Sequence, residues 1–377
     1  MLWYQLTSAI SSAIEAPTVP CSRVKLAVAA RQLPDSEGTA AGRALKAWCD
    51  GVVAEGHQLE VWSWSPEPPA GELPEWCSWR PLPEEARVRT RARALVRPRS
   101  DTEGAAWDVP ADAIAIADDV PSFAAVSTHR HSVATLHYRT SIDAAALHRR
   151  ALRDVQDRRA ERRAAAGAWL TLAYSPRAAS AARGRARTIP IAHGIPATPA
   201  PFVNEPVVAL VADWRWAPNR IALATLLGMW PDIRGRVSGA RLLLAGRGAH
   251  LARIDSSSSV DVLGEVAHSE DVLARAALVA FPCPPTSGPK IKVLEALAFG
   301  IPVVTTAAGV EGLFIADVAA DIAAAEHEFA DRVVTLLIDP ARRADVATRA
   351  RAAVAAAHAP RPAAQARVAA IEAALAV

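Results

Sequence analysis

The stretch from Phe281 to Gly312 constrains the fold of this chain most, because it places a strand, a loop and a short helix in direct succession. It starts at the end of the apolar run ALVAFP, which predicts a strand covered on both faces. The residues KVLEALAFG predict a short helix that ends at Gly300 and Pro302. In open parallel α/β sheets, the helix N-terminus behind such a strand faces the edge where anionic ligands bind.

Three charged residues near the start of this helix indicate a ligand. Lys290 and Lys292 lie at its N-terminus, and Glu295 follows one turn later on the face of Lys292. Lysines at a helix N-terminus oppose the macrodipole by roughly 0.3–1 kcal/mol each, so two together indicate a bound anion. A nucleotide diphosphate suits this pattern, with Glu295 accepting two ribose hydroxyls. Taken singly, each residue is as readily explained as a solvated helix residue.

The segment SGPKIKVLEALAFGIPVVTTAAGVEGL resembles the donor-binding segment of the GT-B glycosyltransferases, in the large retaining group called family four. VVALVADWRWAPNRIALATLLGMWPDI, ARLLLAGRGAHL and VDVLGEVAHSEDVLARAALVAFPC extend the resemblance upstream. It is strong from about Val207 to Leu313 and weak in the N-terminal half. The resemblance implies an α/β fold of two Rossmann-like domains facing each other across a cleft. It also implies a nucleotide diphosphate sugar as donor, a retaining reaction, and no cofactor or metal.

The length of the chain agrees with two domains, since 377 residues exceed the usual single-core size of about 250–300. A hydrophobic share of 51% and a charged share of 21% are ordinary for a globular protein. Patterns and resemblance together divide the chain into five parts. These are an N-terminal helical extension (1–20), an N-terminal acceptor-side domain (21–196), a proline-rich linker (197–206), a C-terminal donor-side domain (207–357) and a last helix (358–377) that crosses back to the N-terminal domain.

Charge and cysteine content exclude several classes of protein. A net charge of +3 is too small to indicate a nucleic-acid partner. The four cysteines lack any metal-ligand spacing, which favours free thiols in a reducing cytoplasm. Residues 1–20 have no basic start and no long apolar run, which argues against export or membrane insertion. For these residues and for the Arg-rich segment 87–99, packing or solvation is preferred and weak contact with a membrane surface is the alternative.

The N-terminal half predicts a βαβ unit in which a glycine-containing loop follows the first strand. We expect the loop around Gly38, with Glu37 and Thr39, to face the cleft. Residues 66–107 are rich in Pro, Arg and Glu, and predict a loop followed by a basic helix. Gly-rich turns after a first strand are common, so this feature alone does not identify a site.

Polar side chains end two further predicted strands of this half. Asp118 and Asp119 follow the strand AIAIA, and His137 ends VATLHY. The resemblance makes His137 a candidate substrate contact, whereas relatives commonly have a histidine where the two aspartates stand. In the C-terminal half, Arg215 is a candidate for the diphosphate, and Glu311 in the GVEG turn is a further candidate on the donor side.

The sequence departs from the family at one position that bears on the mechanism. Family four enzymes carry two glutamates separated by seven residues, and counting back from Glu295 the first position is Ser287. A hydroxyl cannot supply the negative charge of a carboxylate beside the reacting sugar. We therefore predict that Ser287 bonds a sugar hydroxyl or caps the helix, and that Asp119 and His137 are the remaining catalytic candidates.

These observations predict a hexosyltransferase-like enzyme that moves a sugar from a nucleotide diphosphate to an acceptor. The acceptor is a small molecule, such as a natural product or a saccharide, or a glycolipid. Two alternatives stay open. One is a nucleotide-sugar epimerase of the same fold, and the other is a catalytically silent nucleotide-sugar binding or partner subunit.

Overall fold

The structure is a computed structural model that describes residues 23–36, 38–64, 68–69, 71–81, 107–138, 151–252 and 259–377. The predictions made for residues 1–20, for Glu37 and for the segment 87–99 lie outside the described residues. Within the described ranges, the chain forms two parallel β-sheets with helices between the strands, as predicted. We call the part of the chain that carries the first sheet the N-terminal unit, and the part that carries the second the C-terminal unit.

The N-terminal unit is built on a seven-stranded sheet with the order β3-β2-β1-β4-β5-β6-β7. Its strands are β1 (Lys25–Ala30), β2 (Gln58–Ser63), β3 (Cys77–Trp79), β4 (Ile114–Ala117), β5 (Ser132–Leu136), β6 (Leu170–Ala173) and β7 (Ala186–Thr188). Its helices are α1 (Ala40–Ala54), α2 (Phe123–Val126), α3 (Ala151–Gly167) and α4 (Pro176–Ala179). After Lys25 the central strand β1 is continuously apolar and buried, as is all of β4, because helices cover both faces of a parallel sheet.

The edge strand β3 corrects one prediction. Residues 66–107 were expected to form a loop and a basic helix, but Cys77–Trp79 pairs in parallel with β2 from Val61 to Ser63. Only three residues take part, which is too short for an alternating apolar pattern to be recognised in the sequence.

The C-terminal unit is built on a five-stranded sheet with the order β10-β9-β8-β11-β12. Its strands are β8 (Val207–Val211), β9 (Arg241–Ala245), β10 (Val260–Gly264), β11 (Leu278–Phe281) and β12 (Val303–Thr305). Its helices are α5 (Ala217–Arg236), α6 (Ser269–Leu273), α7 (Ile291–Ala298), α8 (Ala316–Ile322), α9 (Phe329–Ile338) and α10 (Pro340–His358). Apolar residues of α7 and α9 line the core beneath this sheet. Among the described helices, none combines the length and the apolar composition needed to cross a membrane.

The last helix, α11 (Pro360–Leu375), lies against α1 of the N-terminal unit. A Cβ added at Gly51 would lie 2.0 Å from the main-chain oxygen of Pro360, so the two backbones touch. Arg361 Nε lies 2.5 Å from Glu55 Oε1, and Gln365 donates to the other oxygen of the same carboxylate at 2.8 Å. The chain therefore passes twice between the two units.

The segment between β7 and β8 is anchored to the C-terminal unit by backbone contacts. Arg343 Nη2 donates to Val203 O at 2.9 Å, and Ala200 N donates to Phe299 O at 2.7 Å. A cavity of about 400 Å³ lies between this segment and α10, and none of the predicted site residues lines it. This cavity is therefore separate from the candidate site.

Candidate functional site

The carboxyl ends of the two sheets face each other, and two glycines of the C-terminal unit touch the N-terminal unit there. A Cβ at Gly288 would lie 2.5 Å from His137 O, and one at Gly312 would lie 2.2 Å from Tyr174 O. Both glycines have positive φ angles, 77° and 76°, which residues with a side chain rarely adopt. The loop after β11 and the turn after β12 thus approach the ends of β5 and β6. We call the space between these strand ends the cleft.

Lys290 takes a role that the sequence did not predict. Its ammonium donates to Ser287 O at 3.1 Å and to Gly288 O, and the residue is only 4% exposed. The side chain therefore closes the loop before α7 instead of presenting its charge to a ligand. Ser287 is itself buried in this loop.

Lys292 is a poorly hydrated cation in the first turn of α7. Its Nζ donates to Asn219 Oδ1 at 2.5 Å and lies 4.3 Å from the centre of the Phe281 ring and 5.5 Å from that of Trp216. Burial disfavours the charged form and lowers the pKa of Lys292 to about 8. Since water screens it little, this cation attracts an anion more strongly than an exposed lysine would.

Glu295 lies one turn further along α7 and is held by partners from two other elements. Its Oε1 accepts from Ser269 Oγ at 2.8 Å, and Arg43 Nη2 of α1 lies 3.4 Å from the same oxygen. Oε2 has no hydrogen bond within the described residues. Burial raises the pKa of Glu295 although the Arg43 cation opposes this. The ion pair with Arg43 crosses the cleft, and it brings the predicted Gly38 near the site because Arg43 Nη1 also donates to Gly38 O at 3.0 Å.

His137 ends β5 and contacts Asp118 at the end of β4. Its Nε2 meets the main-chain oxygen of Asp118 and lies 3.5 Å from Oδ2 of the carboxylate. Its ring packs edge-on against Tyr174, with the ring centres 4.8 Å apart. Burial lowers the pKa of His137, but the nearby carboxylates of Asp118 and Asp119 outweigh it and the net shift is upward. The two carboxylates thus favour the charged form of the imidazole more than burial disfavours it.

Arg367 of α11 reaches under this pair and was missed by the sequence analysis. It is 1% exposed, its Nη1 lies 3.7 Å from Asp118 Oδ1, and Nη2 donates to Tyr174 Oη. The guanidinium also lies 4.1 Å from the centre of the Trp48 ring. Burial raises the pKa of Asp118, but the opposing effects of His137 and Arg367 are larger together. The net shift is downward, which favours the ionised carboxylate.

Asp119 was predicted as a catalytic carboxylate, and its hydrogen bonds give it a capping role instead. Oδ1 accepts from Ser122 N at 2.8 Å and from Ser122 Oγ at 2.7 Å, and Oδ2 accepts from Arg31 N at 3.2 Å. Both oxygens are therefore used to hold the loops after β4 and β1. The adjacent Asp118, and not Asp119, is the residue in contact with His137.

Glu311 and Arg215 were predicted to bind the donor and have other partners. Glu311 Oε1 accepts from Arg177 N at 3.0 Å, while Oε2 is buried without a hydrogen bond and lies 3.9 Å from Arg177 Nε. This carboxylate joins the two units. Arg215 Nη2 lies 2.5 Å from Asp213 Oδ2, and its side chain is 55% exposed. The charge of Arg215 is thus paired with that of Asp213 at the protein surface.

The residues that complete the site carried only weak signals in the sequence. Arg43 lies in the first turns of the helix behind the glycine loop, the same kind of position that drew attention to Lys292. Asn219 follows Pro218 in the first turn of α5, and its side chain joins Lys292 to Asp213 O. Within the described part of the chain, no cluster of three or more His, Cys, Asp or Glu residues is placed to hold a metal ion.

Residues 205–339 match the family model described as glycosyl transferases group 1. The matched range contains the whole second sheet together with Lys292 and Glu295. The C-terminal half of the chain is therefore similar to the glycosyl transferases group 1, and the predicted resemblance is confirmed. No curated protein matches the sequence.

Solved structures extend the likeness to the whole fold. HepE of Anabaena, in complex with UDP and glucose, is 14% identical, with 94% of this chain and 100% of that chain covered and a TM-score of 0.61. WaaG, a glycosyltransferase involved in lipopolysaccharide biosynthesis, is 15% identical, with 92% and 98% covered and a TM-score of 0.58. These likenesses confirm the predicted GT-B fold.

TarM of S. aureus is a longer protein of similar fold. Its complex with Fondaparinux, alpha-GlcNAc-glycerol and UDP is 15% identical to this chain, with a TM-score of 0.56. The match covers 72% of this chain and 57% of TarM, so this chain spans a little over half the length of that protein.

Proposed function

We propose that this protein is a glycosyltransferase that takes its sugar from a nucleotide diphosphate. The observation that carries the proposal is the position of Lys292 and Glu295. Both lie on α7, which follows the carboxyl end of β11 inside the range matched by the glycosyl transferases group 1 model. A buried cation at a helix N-terminus stabilises the charge that develops on a departing diphosphate. The open oxygen Oε2 of Glu295 can accept a ribose hydroxyl.

The acceptor that we propose is a small molecule, a saccharide or a glycolipid held against the N-terminal unit. The HepE and TarM structures are complexes with UDP, and that of TarM also contains alpha-GlcNAc-glycerol, which supports a uridine nucleotide and a saccharide as first choices to test. We propose that the reaction needs no metal, since Lys292 and the amide end of α7 supply positive charge.

We also propose that the configuration of the sugar is retained, as the resemblance implies. Ser287 stands where a carboxylate would otherwise assist the reacting carbon. Negative charge near that carbon must then come from the departing diphosphate itself. We propose that His137 of the N-terminal unit hydrogen-bonds the sugar or the acceptor, which the close approach of its main chain to Gly288 supports.

A screen of nucleotide sugars tests the proposal. Thermal shift with UDP-, GDP- and ADP-sugars should show at least one that stabilises the protein, and mass spectrometry with NMR should then show a new glycoside. Lys292→Met and Glu295→Gln should each lower the affinity for the stabilising nucleotide by roughly tenfold or more, because each removes a charge-assisted contact. Lys25→Met is the matched control, since Lys25 begins β1 at the opposite end of the sheet and pairs with Asp112.

The products separate the proposed function from its alternatives. A new glycoside supports transfer, an epimerised donor identifies an epimerase, and binding without turnover identifies a silent binding subunit. If no nucleotide sugar stabilises the protein, or if neither substitution on α7 changes the stabilisation, the proposed site is wrong.

The affinity for a nucleoside diphosphate should fall as the pH rises through about 8, the pKa to which burial lowers Lys292. Below that pH the ammonium is charged and attracts the diphosphate, and above it the free protein loses this charge. The limiting loss is tenfold per pH unit until the pKa of the bound state is reached. Calorimetry with UDP from pH 7 to 9.5 measures this. The Lys292→Met variant should show no such fall, and a wild-type affinity that is flat with pH would contradict the role of Lys292.

A further inference from the structure

We infer that Arg43, on the first helix of the N-terminal unit, is a further ligand of the donor diphosphate. This inference rests on the proposed function, and adds to it a cation that comes from the opposite side of the cleft.

The cations predicted from the sequence leave much of the diphosphate charge unmatched. Lys290 is bound to two loop carbonyls, and Arg215 is paired with Asp213 at the surface. Lys292 carries one positive charge, whereas a diphosphate bridge with a sugar attached carries about two negative ones. Glu295 beside it adds a further negative charge. Arg43 adds a second positive charge at this place, since its guanidinium lies 3.4 Å from Glu295 Oε1.

The position of Arg43 is set by the loop that follows β1. Nη1 donates to Gly38 O at 3.0 Å, while Nη2 faces Glu295 and the side chain keeps 32% of its surface exposed. The guanidinium is thus held at the cleft between the glycine loop and α7. One firm anchor leaves the other donors of the guanidinium able to turn, since among the described residues the Arg43 side chain hydrogen-bonds only Gly38 and Glu295.

The contact with Glu295 is long enough to be exchanged. Charge-assisted N–H···O bonds usually measure about 2.7–2.9 Å, and this one measures 3.4 Å. When ribose hydroxyls donate to Glu295, they replace the donor that Arg43 supplies, and the guanidinium can turn to phosphate oxygens. Arginine suits this because its planar fork of donors matches phosphate geometry. The bound nucleotide sugar then bridges the two units through Arg43 and Glu295, which form an ion pair with each other when it is absent.

Calorimetry with UDP, GDP and ADP, each beside its nucleoside, tests this role. With the diphosphate that binds the wild type, Arg43→Ala and Arg43→Gln should each weaken binding by about tenfold to a hundredfold. The affinity for the matching nucleoside should stay unchanged or rise, because Glu295 is freed. A diphosphate loss in both variants together with an unchanged nucleoside affinity excludes a collapse of the loop.

Lys46→Ala is the matched control, because Lys46 is a cation on the same helix that pairs with Asp50 at 2.7 Å. It should leave both affinities unchanged. Equal or tighter diphosphate binding by the Arg43 variants would overturn the inference and show that the ion pair only holds the cleft closed. An equal loss for diphosphate and nucleoside would also overturn it. Absence of any nucleotide binding by the wild type would instead mean that the proposed function fails.

Discussion

Replacement of Gly312 by alanine is expected to lower the free energy of unfolding by about 3 kcal/mol or more, whereas the same change at Gly264 should cost only about 1–2 kcal/mol. Both glycines have nearly the same positive φ, 76° and 78°, so the backbone strain is matched. They differ in surroundings. A Cβ at Gly312 would lie 2.2 Å from Tyr174 O, whereas at Gly264 nothing lies within 4 Å.

The excess cost at Gly312 arises because backbone cannot move aside as a flexible side chain can. Tyr174 follows β6 of the N-terminal unit, so the added methyl group would force the two units apart. Urea unfolding followed by circular dichroism measures both losses, and small-angle scattering should detect a larger radius of gyration for the Gly312→Ala protein. Equal losses at the two positions, with unchanged scattering, would show that the units do not touch at this turn.

Replacement of Arg367 by methionine is expected to destabilise the protein by about 3–5 kcal/mol near pH 7. The guanidinium is 1% exposed and lies 3.7 Å from the buried carboxylate of Asp118. Methionine fills a similar volume but leaves Asp118, among the described residues, with His137 alone as its ion-pair partner. The cost is that of a buried charge that has lost part of its compensation.

A double-mutant cycle with Asp118→Asn separates this electrostatic cost from lost packing. The double variant should lose clearly less stability than the sum of the two single variants, because the asparagine no longer carries the charge. Arg361→Met is the matched control, since Arg361 lies six residues before Arg367 on the same helix and 66% of its side chain is exposed. It should change stability by less than about 1 kcal/mol. Additive losses in the cycle would contradict a coupling between Arg367 and Asp118.

The elements around the candidate site were predictable because their signals are local. The apolar run before Pro282 and the periodic residues of KVLEALAFG predict β11 and α7, and the structure has them at Leu278–Phe281 and Ile291–Ala298. Lys292 and Glu295 are three residues apart on one helix, so their common neighbourhood follows from helix geometry alone. The short strand β3 was missed because three residues carry no periodicity.

The partners of the charged side chains were not predictable in the same way. Lys290 and Lys292 have the same residue type in the same turn, yet one is bound to loop carbonyls and the other to Asn219. Asp118 and Asp119 are adjacent, yet one pairs with His137 and the other caps a loop. Which role each takes depends on the direction of its side chain, which the packing of neighbouring segments decides.

The amino-acid sequence alone thus determined the alternation of strands and helices, the two-unit α/β architecture and the position of the helix that carries Lys292 and Glu295. Tertiary structure decided the contacts of Glu295 with Arg43 and of Asp118 with Arg367, which join residues of α7 with α1 and of β4's end with α11. The physical reason is range. Periodicity and helix-end preferences act over a few residues, whereas an ion pair between distant segments forms only after the sheets have assembled and the chain has crossed between them.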